Sequence, residues 1–257
     1  MGNFLLRGVR SLIRRAGMDV VRYRRSAQEA PPIDFDPAAV ATIRRVQPYT
    51  MTSPERLFSL IEAVRYISRA AIAGDVVECG VWRGGSMMAA ALTLVEEGDR
   101  ERDLYLVDTF EGMSAPSEHD VAVNGTSASF LLDQQDKFDP DSAWCYATLD
   151  EVRAAMATIG YDMGRMHFIQ GKVEDTIPEH APHSIAMLRL DTDWYESTRH
   201  ELEHLYPRLS PGGVLIIDDY GHWKGCRQAV DEYFEARNIR LLLNRVDYTG
   251  RIAVKPA

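Results

Sequence analysis

The sequence predicts a single α/β domain in which a mostly parallel β-sheet is covered by helices on both faces. From residue 75 onward, short and nearly all-apolar runs alternate with segments of helical periodicity, which is typical of buried parallel strands joined by helices. The last two strand-like segments are joined by a short turn around Thr249 and predict an antiparallel hairpin. With 257 residues, the chain is long enough for one such domain and some appended structure.

The helices and strands follow from local signals. Ser53 is a good N-cap, and it is followed by a proline at the first helical position of a helix that we expect to end near Ala73. Further helices are predicted at residues 86–96, 148–159, 196–209 and 225–237. Strands are predicted at residues 75–81, 104–110, 167–173, 185–191 and 214–220, with hairpin strands at 240–246 and 251–255.

Two segments fall outside this alternation. Residues 26–50 contain four prolines and no long period, so residues 1–50 are interpreted as a basic arm and linker that precede a domain at 51–257. Residues 111–146 also have no clear period and directly follow a strand whose end is expected to face the ligand. A connection of this length predicts a lid over the active site.

Charge is distributed unevenly along the chain. The net charge is −9, yet residues 1–25 hold seven arginines against a single acid. The acidic body argues against nucleic acid as a partner. Leu5, Leu6, Val9, Leu12 and Ile13 recur near helical spacing among the arginines, which fits peripheral contact of an amphipathic helix with an anionic membrane surface. A solvated helix, or an arm packed on a second subunit, fits the same pattern.

The cysteines and the apolar runs indicate the cellular compartment. Cys79, Cys145 and Cys226 are far apart and form no CxxC motif, which favours a reducing environment. No apolar run reaches the ~18 residues that span a bilayer, and the N-terminus lacks the apolar core of a secretory signal. We therefore expect a cytoplasmic protein.

A glycine-rich turn follows the first predicted strand. It has the spacing E-x-G-x-x-x-G-G from Glu78 to Gly85, with Trp82 at the second glycine position of a dinucleotide-binding motif. A buried strand that enters such a turn and then a helix places a ligand against helix N–H groups. Glu78 is expected to accept the α-ammonium group of a methionine moiety. The alternative is a tight βα turn that holds no ligand.

The next two strands end in residues that suit a nucleoside. Asp108 ends the second strand, where a carboxylate can accept both ribose hydroxyls. A solvated strand cap is the alternative for this acid. The third strand runs into Gly171, Val173 and Glu174, which are expected to form the rim around an adenine ring.

Four carboxylates follow the fourth and fifth strands. Asp191 and Asp193 close one strand, and Asp218 and Asp219 close the next, so we expect all four to converge at one sheet edge. Two carboxylates about 4 Å apart repel by about 1–4 kcal/mol, which requires either a cation or a protonated carboxyl. Oxygen ligands select a hard ion, Mg²⁺ first, with Mn²⁺ or Ca²⁺ as alternatives. Simple capping of the following helices is the competing interpretation.

The HExxH motif of zinc proteases also occurs, from His200 to His204. On a helix, Leu202 and Leu205 mark the buried stripe, and both histidines then lie on the opposite, solvent-facing side. No third zinc ligand follows at a known spacing. The motif is therefore not expected to bind zinc.

Together these motifs resemble the macrocin/novobiocin-type O-methyltransferase family, whose members methylate sugar hydroxyls of glycosylated natural products. The resemblance extends from about Met51 to Phe234 and is strongest to the branch that methylates the noviose sugar of aminocoumarins. It rests on five blocks, M-T-S-P-E-R-L from Met51, V-E-C-G-V-W-R-G-G-S from Val77, V-D-T-F-E-G-M from Val107, L-R-L-D-T-D-W-Y-E-S-T from Leu188 and I-I-D-D-Y-G-H-W from Ile216. Residues 1–25 and the linker lie outside it.

The resemblance implies a class I fold with a seven-stranded sheet, S-adenosylmethionine (SAM) as methyl donor and a divalent metal, Mg²⁺ or Mn²⁺. It implies metal ligands at Asp191, Asp218 and Asp219 and a general base at Asp193, with His222 as second choice. The residues expected to bind SAM are Met51, Glu78, Gly80, Val81, Trp82, Arg83, Gly84, Gly85, Ser86, Asp108, Thr109, Phe110, Glu111, Gly171, Val173, Glu174 and Asp191.

The expected acceptor is a small glycoside or saccharide, and related enzymes suggest a homo-oligomer. Two other functions fit the same fold. A catechol-type O-methyltransferase uses similar metal chemistry on a planar phenol, and the sequence does not reveal the shape of the acceptor pocket. A catalytically inactive SAM- or nucleotide-binding module is the second, although it has no need of Asp193.

Overall fold

A computed structural model describes residues 31–139 and 142–256. The chain divides into two compact units, Met1–Phe35 and Asp36–Ala257. In the first unit the described residues, 31–35, contain a turn. The amphipathic helix predicted within residues 1–25 lies outside the described residues. Every helix and strand discussed below belongs to the second unit.

The described part of the second unit contains eight α-helices and seven strands in near-regular alternation. The helices are α1 Pro37–Val46, α2 Pro54–Arg69, α3 Gly85–Glu97, α4 Ala128–Asp133, α5 Leu149–Ala157, α6 Val173–Thr176, α7 Tyr195–Leu205 and α8 Lys224–Ala236. The strands are β1 Asp75–Cys79, β2 Leu104–Asp108, β3 Met166–Gln170, β4 Ile185–Leu190, β5 Leu209–Ile217, β6 Asn244–Arg245 and β7 Arg251–Val254. Three 3₁₀ turns lie at Gln47–Tyr49, Met163–Arg165 and Tyr206–Arg208.

The strands form one sheet in the order β3-β2-β1-β4-β5-β7-β6. Strands β1 to β5 are parallel, and β7 is antiparallel to both β5 and β6. This confirms the predicted seven-stranded class I sheet with its C-terminal hairpin. The strand order reverses between β1 and β4, and in open parallel sheets ligands bind outside the carboxyl ends of strands at such a point.

The register aligns the strand ends that matter most. Cys79 of β1 pairs with Leu190 of β4, which pairs with Ile217 of β5. The residues that follow these three strands therefore start at the same edge of the sheet. Helices α2 and α3 pack together, as do α7 and α8, and these pairs supply the layers that cover the sheet.

The predicted linker at 26–50 is wrong over residues 37–46, which form helix α1. The side chain of Asp36 caps this helix, and Pro37 occupies its first position. Proline is favourable there because the N–H group that it lacks would have no hydrogen-bond partner within the helix. Ala39, Ile43 and Val46 are buried at helical spacing. Of the four prolines that suggested a linker, Pro37 begins a helix and Pro48 lies in a 3₁₀ turn.

Other differences concern element ends and the predicted lid. Helix α2 ends at Arg69, not near Ala73. The lid segment 111–146 contains a short helix, α4, capped by Ser127, and it forms isolated β-bridges from Val121 and Ala122. Among the described residues, no helix has both the length and the apolar character needed to cross a membrane. The three cysteines are free thiols.

Candidate active site

A cavity opens at the carboxyl ends of the parallel strands, and its empty space, including the part that is open to solvent, is about 1090 Å³. The segment before α2, the glycine-rich loop, the ends of β2 to β5 and both ends of the predicted lid contribute to its wall. The predicted SAM-binding residues that line it are Met51, Gly80, Val81, Trp82, Gly85, Ser86, Asp108, Thr109, Gly171, Val173, Glu174 and Asp191. The predicted metal ligands and Asp193 also line it.

Several predicted residues do not line the cavity, namely Glu78, Arg83, Gly84, Phe110, Glu111 and His222. Lining residues that were not predicted from the sequence lie at both ends of the lid, before α2 and in the first turn of α2; they include Tyr49, Thr50, Thr52, Arg56, Met113, Ser114 and Cys145. Most of these lie inside or beside the conserved-looking blocks of the resemblance, which offered a signal for them. Cys145 lay in a segment without any motif.

The glycines of the loop after β1 serve the packing of the protein's own backbone. Gly80 has a φ of 82°, and a Cβ there would lie 2.0 Å from the carbonyl oxygen of Asp191. At Gly85, a Cβ would lie 2.6 Å from the carbonyl oxygen of Tyr49. These glycines therefore let two neighbouring segments of the chain approach the loop closely.

The carboxylate of Asp108 joins the loops that follow β1 and β2. Its Oδ2 accepts hydrogen bonds from the backbone N–H groups of Val81 and Trp82, at 2.6 and 3.0 Å. Its Oδ1 accepts from the N–H of Phe110 at 2.7 Å and from the hydroxyl of Thr109 at 3.3 Å. A carboxylate has about four acceptor sites, so these four bonds make Asp108 a support for the cofactor loops.

Arg189 lies buried at the centre of the carboxylate cluster, and the sequence analysis did not identify it. Its Nη1 donates to Glu78 Oε1 at 2.7 Å and to Asp191 Oδ2 at 2.6 Å. Its Nη2 donates to Asp218 Oδ1 at 2.7 Å and to Thr52 Oγ1 at 3.2 Å. An arginine inside an otherwise apolar strand was the available signal, because charged residues are almost never fully buried unless paired.

The acids on this guanidinium differ in their other contacts. Burial raises the pKa of Glu78 to about 7, with Arg189 opposing the rise, and Glu78 Oε2 has no hydrogen-bond partner among the described residues. Asp218 is also paired with Arg56, whose Nε lies 3.1 Å from Asp247. Both carboxylate oxygens of Asp218 are therefore occupied by arginines in this structure.

A second group of carboxylates lies beside this pair. Oxygens of Asp191, Asp193 and Asp219 all lie within 4.8 Å of one another. Burial raises the pKa of Asp193 to about 7, partly offset by hydrogen bonds with Asp219 and Trp223. Burial and facing carboxylates raise the pKa of Asp191 and Asp219 well above the ordinary value. The sequence analysis had grouped Asp218 with Asp191 and Asp219, whereas the structure brings Asp193 into that group.

Asp193 adopts an uncommon backbone conformation with a φ of 68°. Aspartate tolerates this left-handed region better than most residues, and such conformations recur at functional sites. Trp82, Phe110 and Cys145 share a positive φ, and all three lie in loops at the cavity. The backbone is therefore strained around the site, where the surrounding packing has to maintain it.

Comparison with known proteins identifies the family. The family described as Macrocin-O-methyltransferase (TylF) matches residues 13–254. This chain belongs to the macrocin O-methyltransferase family. It is an S-adenosylmethionine-dependent O-methyltransferase, as predicted. The match begins well before Met51 and continues past Phe234, so the predicted extent of the resemblance was too short.

Individual relatives agree with this assignment. The 8-demethyl-8-(2,3-dimethoxy-alpha-L-rhamnosyl)-tetracenomycin-C 4'-O-methyltransferase of Streptomyces olivaceus is 35% identical over 217 residues, 84% of this chain and 79% of that protein. Mycinamicin III 3''-O-methyltransferase of Micromonospora griseorubida is 33% identical over 202 residues, 79% and 76% of the two chains. The solved structure of the O-methyltransferase NovP has a TM-score of 0.70 at 29% identity, covering 81% of this chain and 83% of that one.

In this macrocin-type methyltransferase, His222 lies outside the cavity wall. Its Nδ1 is 3.4 Å from the hydroxyl of Tyr248, and burial together with the nearby Arg56 lowers its pKa. The ring stacks edge-on against Trp223. Of the two predicted bases, Asp193 is thus the one whose side chain faces the cavity.

The HExxH motif of the methyltransferase has a structural role. Leu202 and Leu205 are buried as predicted, but His200 and His204 are only partly exposed, with their rings 4.4 Å apart. Glu201 is fully buried and accepts a hydrogen bond from Thr192 at 2.9 Å. Through Glu201, the motif therefore stabilises the connection between β4 and α7, which contains Thr192.

Proposed function

We propose that this methyltransferase transfers the methyl group of SAM to a sugar hydroxyl of a glycosylated small molecule, with a divalent metal and Asp193 as general base. The observation that carries this proposal is the trio Asp191, Asp193 and Asp219, whose oxygens lie within 4.8 Å of one another in the cavity wall. The sugar acceptor is supported by the names of the relatives, which act on a rhamnosyl tetracenomycin and on mycinamicin III.

The carboxylates fit a hard divalent cation. Asp191 and Asp219 are oxygen donors whose pKa values are raised by burial and by facing carboxylates, so a cation there would relieve their repulsion. Asp218 would join them as the third ligand on leaving Arg56, which keeps the predicted set. A Mg²⁺ or Mn²⁺ ion held there would supply Lewis-acid stabilisation of the charge that develops on the acceptor oxygen.

The chain's own residues then perform three tasks. The glycine-rich loop and Asp108 shape the SAM side of the cavity, since Asp108 holds Val81 and Trp82 in place. Asp193, which also lines the cavity, accepts the proton of the acceptor hydroxyl as the hydroxyl oxygen attacks the methyl carbon of SAM, while the methyl–sulfur bond breaks and S-adenosylhomocysteine leaves. Arg189 keeps Asp191 and Asp218 in fixed positions.

The test separates the base from the binding of SAM. We expect Asp193→Asn to lower kcat roughly 10²- to 10⁴-fold, whereas His222→Asn retains kcat within about threefold because its ring lies outside the cavity wall. Radiolabelled methyl transfer to a panel of rhamnosides measures kcat, and calorimetry measures SAM affinity, which should change less than about twofold in both variants.

Three results would contradict the proposal. Turnover of Asp193→Asn at the wild-type rate would exclude it as the base. Full activity after removal of divalent ions by a chelator would exclude the metal. Methylation of catechols with no transfer to any rhamnoside would favour the phenol-type alternative.

A further inference from the structure

Asp120 is a buried carboxylate within the predicted lid, and the proposed reaction does not use it. It is 1% exposed, whereas its neighbour Glu118 is exposed. A buried carboxylate is costly unless hydrogen bonds compensate its lost hydration. Asp120 Oδ2 accepts from the N–H and the hydroxyl of Ser117, at 2.6 and 2.8 Å, and Oδ1 accepts from the N–H of Tyr195 at 2.8 Å.

The bond to Tyr195 caps the helix that follows Asp193. Tyr195 is the first residue of α7, and the N-cap residue Trp194 makes no capping bond with its side chain. Asp120 supplies that bond from 75 positions earlier in the chain. An acid at this end of a helix is also favoured by the helix dipole. The same lid is bonded once more here, because the Trp194 indole donates to the carbonyl of Ser114 at 3.1 Å.

The start of α8 is shaped around the same carboxylate. A Cβ at Gly225, the second residue of α8, would lie 2.3 Å from Asp120 Oδ1. Gly225 is not among the residues with positive φ, so the backbone conformation does not require glycine there. The same Cβ would lie 3.2 Å from the carbonyl oxygen of His119 and 3.2 Å from Tyr195 Cβ, so the Asp120 carboxylate sets the tightest limit on a side chain at this position.

Backbone bonds directly after Asp120 complete the contact. The N–H of Lys224 donates to the carbonyl of Val121 at 2.9 Å, and the N–H of Val123 donates to the carbonyl of His222 at 2.9 Å. Residues 121–123 therefore run as a short antiparallel rung along residues 222–224. This part of the predicted lid is therefore hydrogen-bonded to residues 222–224, which follow Asp219 in the chain.

We propose that Asp120 is a positioning residue that holds the β4–α7 loop, residues 191–194, and the β5–α8 loop, residues 218–223, in a fixed relation to each other. The first loop carries Asp193 and the second carries Asp219. Asp120 contacts the beginnings of both helices that these loops enter, so its loss lets the two carboxylates move apart. The catalytic part of this inference rests on the proposed function, whereas the mechanical part does not.

A double-mutant cycle between Asp120→Ala and Gly225→Ala tests the contact. We expect each single variant to lower kcat roughly tenfold or more, because small displacements of catalytic groups are costly, while SAM affinity changes less than about twofold. In the double variant the added Cβ occupies the space that the carboxylate left. Its kcat should therefore be no lower than that of Asp120→Ala alone. Asp120→Asn keeps the acceptor for Tyr195 and should retain kcat within about threefold.

Hydrogen exchange of the ligand-free protein gives a second readout that needs no acceptor. Amides of residues 193–198 and 222–228 should exchange faster in Asp120→Ala and be restored toward wild type in Asp120→Asn. Asp36→Ala is the matched control, because it removes another aspartate cap, that of α1, and its pair with Arg65 far from these loops. It should leave both the exchange of these peptides and kcat unchanged within about twofold.

The outcomes are distinguishable. Additive losses in the Asp120/Gly225 cycle, or wild-type exchange in Asp120→Ala, would overturn the inference. An equal loss of kcat in Asp36→Ala would mean that the effect of Asp120→Ala is general destabilisation, which would also overturn the inference. If the wild-type protein methylates no sugar, the proposed function fails, and the exchange measurements alone still decide whether Asp120 connects the two loops.

Discussion

Replacing Arg189 by methionine tests whether one buried guanidinium holds the carboxylate cluster together. The side chain of Arg189 is 3% exposed and pairs with Glu78, Asp191 and Asp218. Methionine has a similar length and carries no charge, so the substitution removes the cation while filling much of its volume. Three carboxylates then remain, of which only Asp218 keeps another arginine.

The cost follows from the burial of the partners. Removing one member of a buried ion pair costs about 3–5 kcal/mol, because the remaining charge is left desolvated. For a unit of this size, each kcal/mol lowers Tm by about 2–4 °C, so Tm should fall by about 10 °C. Arg65→Met is the matched control, since Arg65 is also buried but its partners Asp36, Glu62 and Glu96 are 40–49% exposed. Its fourth partner, Glu97, is 12% exposed but keeps its pair with Arg69. Water replaces the guanidinium there, and the loss should be about 1–2 kcal/mol.

The pH dependence separates the two variants further. Burial raises the pKa of Glu78 from 4.5 to about 7, so its protonated form stabilises the fold at low pH. That stabilisation, about 3 kcal/mol, is lost as the pH rises through about 7, and Arg189→Met enlarges the loss by removing the opposing charge. Asp36 has the opposite sign. Its pKa is lowered by Arg65, so its contribution disappears only below its ordinary pKa.

Urea unfolding of wild type, Arg189→Met and Arg65→Met at about pH 5.5 and about pH 8 measures these differences. We expect Arg189→Met to be markedly less destabilised at the lower pH and Arg65→Met to be equally destabilised at both. If Arg189→Met loses the same free energy of unfolding at both pH values, the carboxylate cluster does not depend on this guanidinium for its charge balance.

Two further predictions concern the same wall of the cavity. Gly80→Ala places a Cβ 2.0 Å from the carbonyl oxygen of Asp191 and should lower the free energy of unfolding by well over about 2 kcal/mol. Gly98 is the control, because it has a φ of 74° and nothing within 4 Å of an added Cβ, so Gly98→Ala should cost only about 1 kcal/mol. Equal costs for the two variants would contradict the close approach of Asp191 to Gly80. Arg56→Gln removes a cation beside Asp218, so the variant should bind Mn²⁺ roughly tenfold more tightly than wild type. A paramagnetic-resonance titration of the ligand-free protein measures this affinity. Weaker binding by the variant would argue against Asp218 as a metal ligand.

Much of the site was predictable because it depends on strand ends. Alternation of apolar strands with helices determines a parallel sheet, and a parallel sheet brings the residues after its strands to one edge. The sequence alone therefore predicts that Asp193, Asp219 and the glycine-rich loop lie together. The helix caps were equally predictable from the sequence, as Ser53 at the start of α2 demonstrates.

Other features depend on contacts between residues far apart in the chain. Arg189 was overlooked because strand periodicity predicts its burial but not the three acids that make burial tolerable. Helix α1 was taken for a linker because its short apolar face is buried only by packing against α2 and α3. Asp120 lies in a segment with no period, and its bond to Tyr195 spans 75 positions.

The sequence by itself determined the fold class, the family and the sheet edge at which the glycine-rich loop and the carboxylates meet, because period, turn residues and motif spacing act over a few residues. The tertiary structure alone decided which charges face one another. It placed Asp218 between Arg189 and Arg56, and it brought Asp193 beside Asp191 and Asp219. The energy of such a group depends on burial and on distances of a few ångströms, and folding sets both only when distant segments meet.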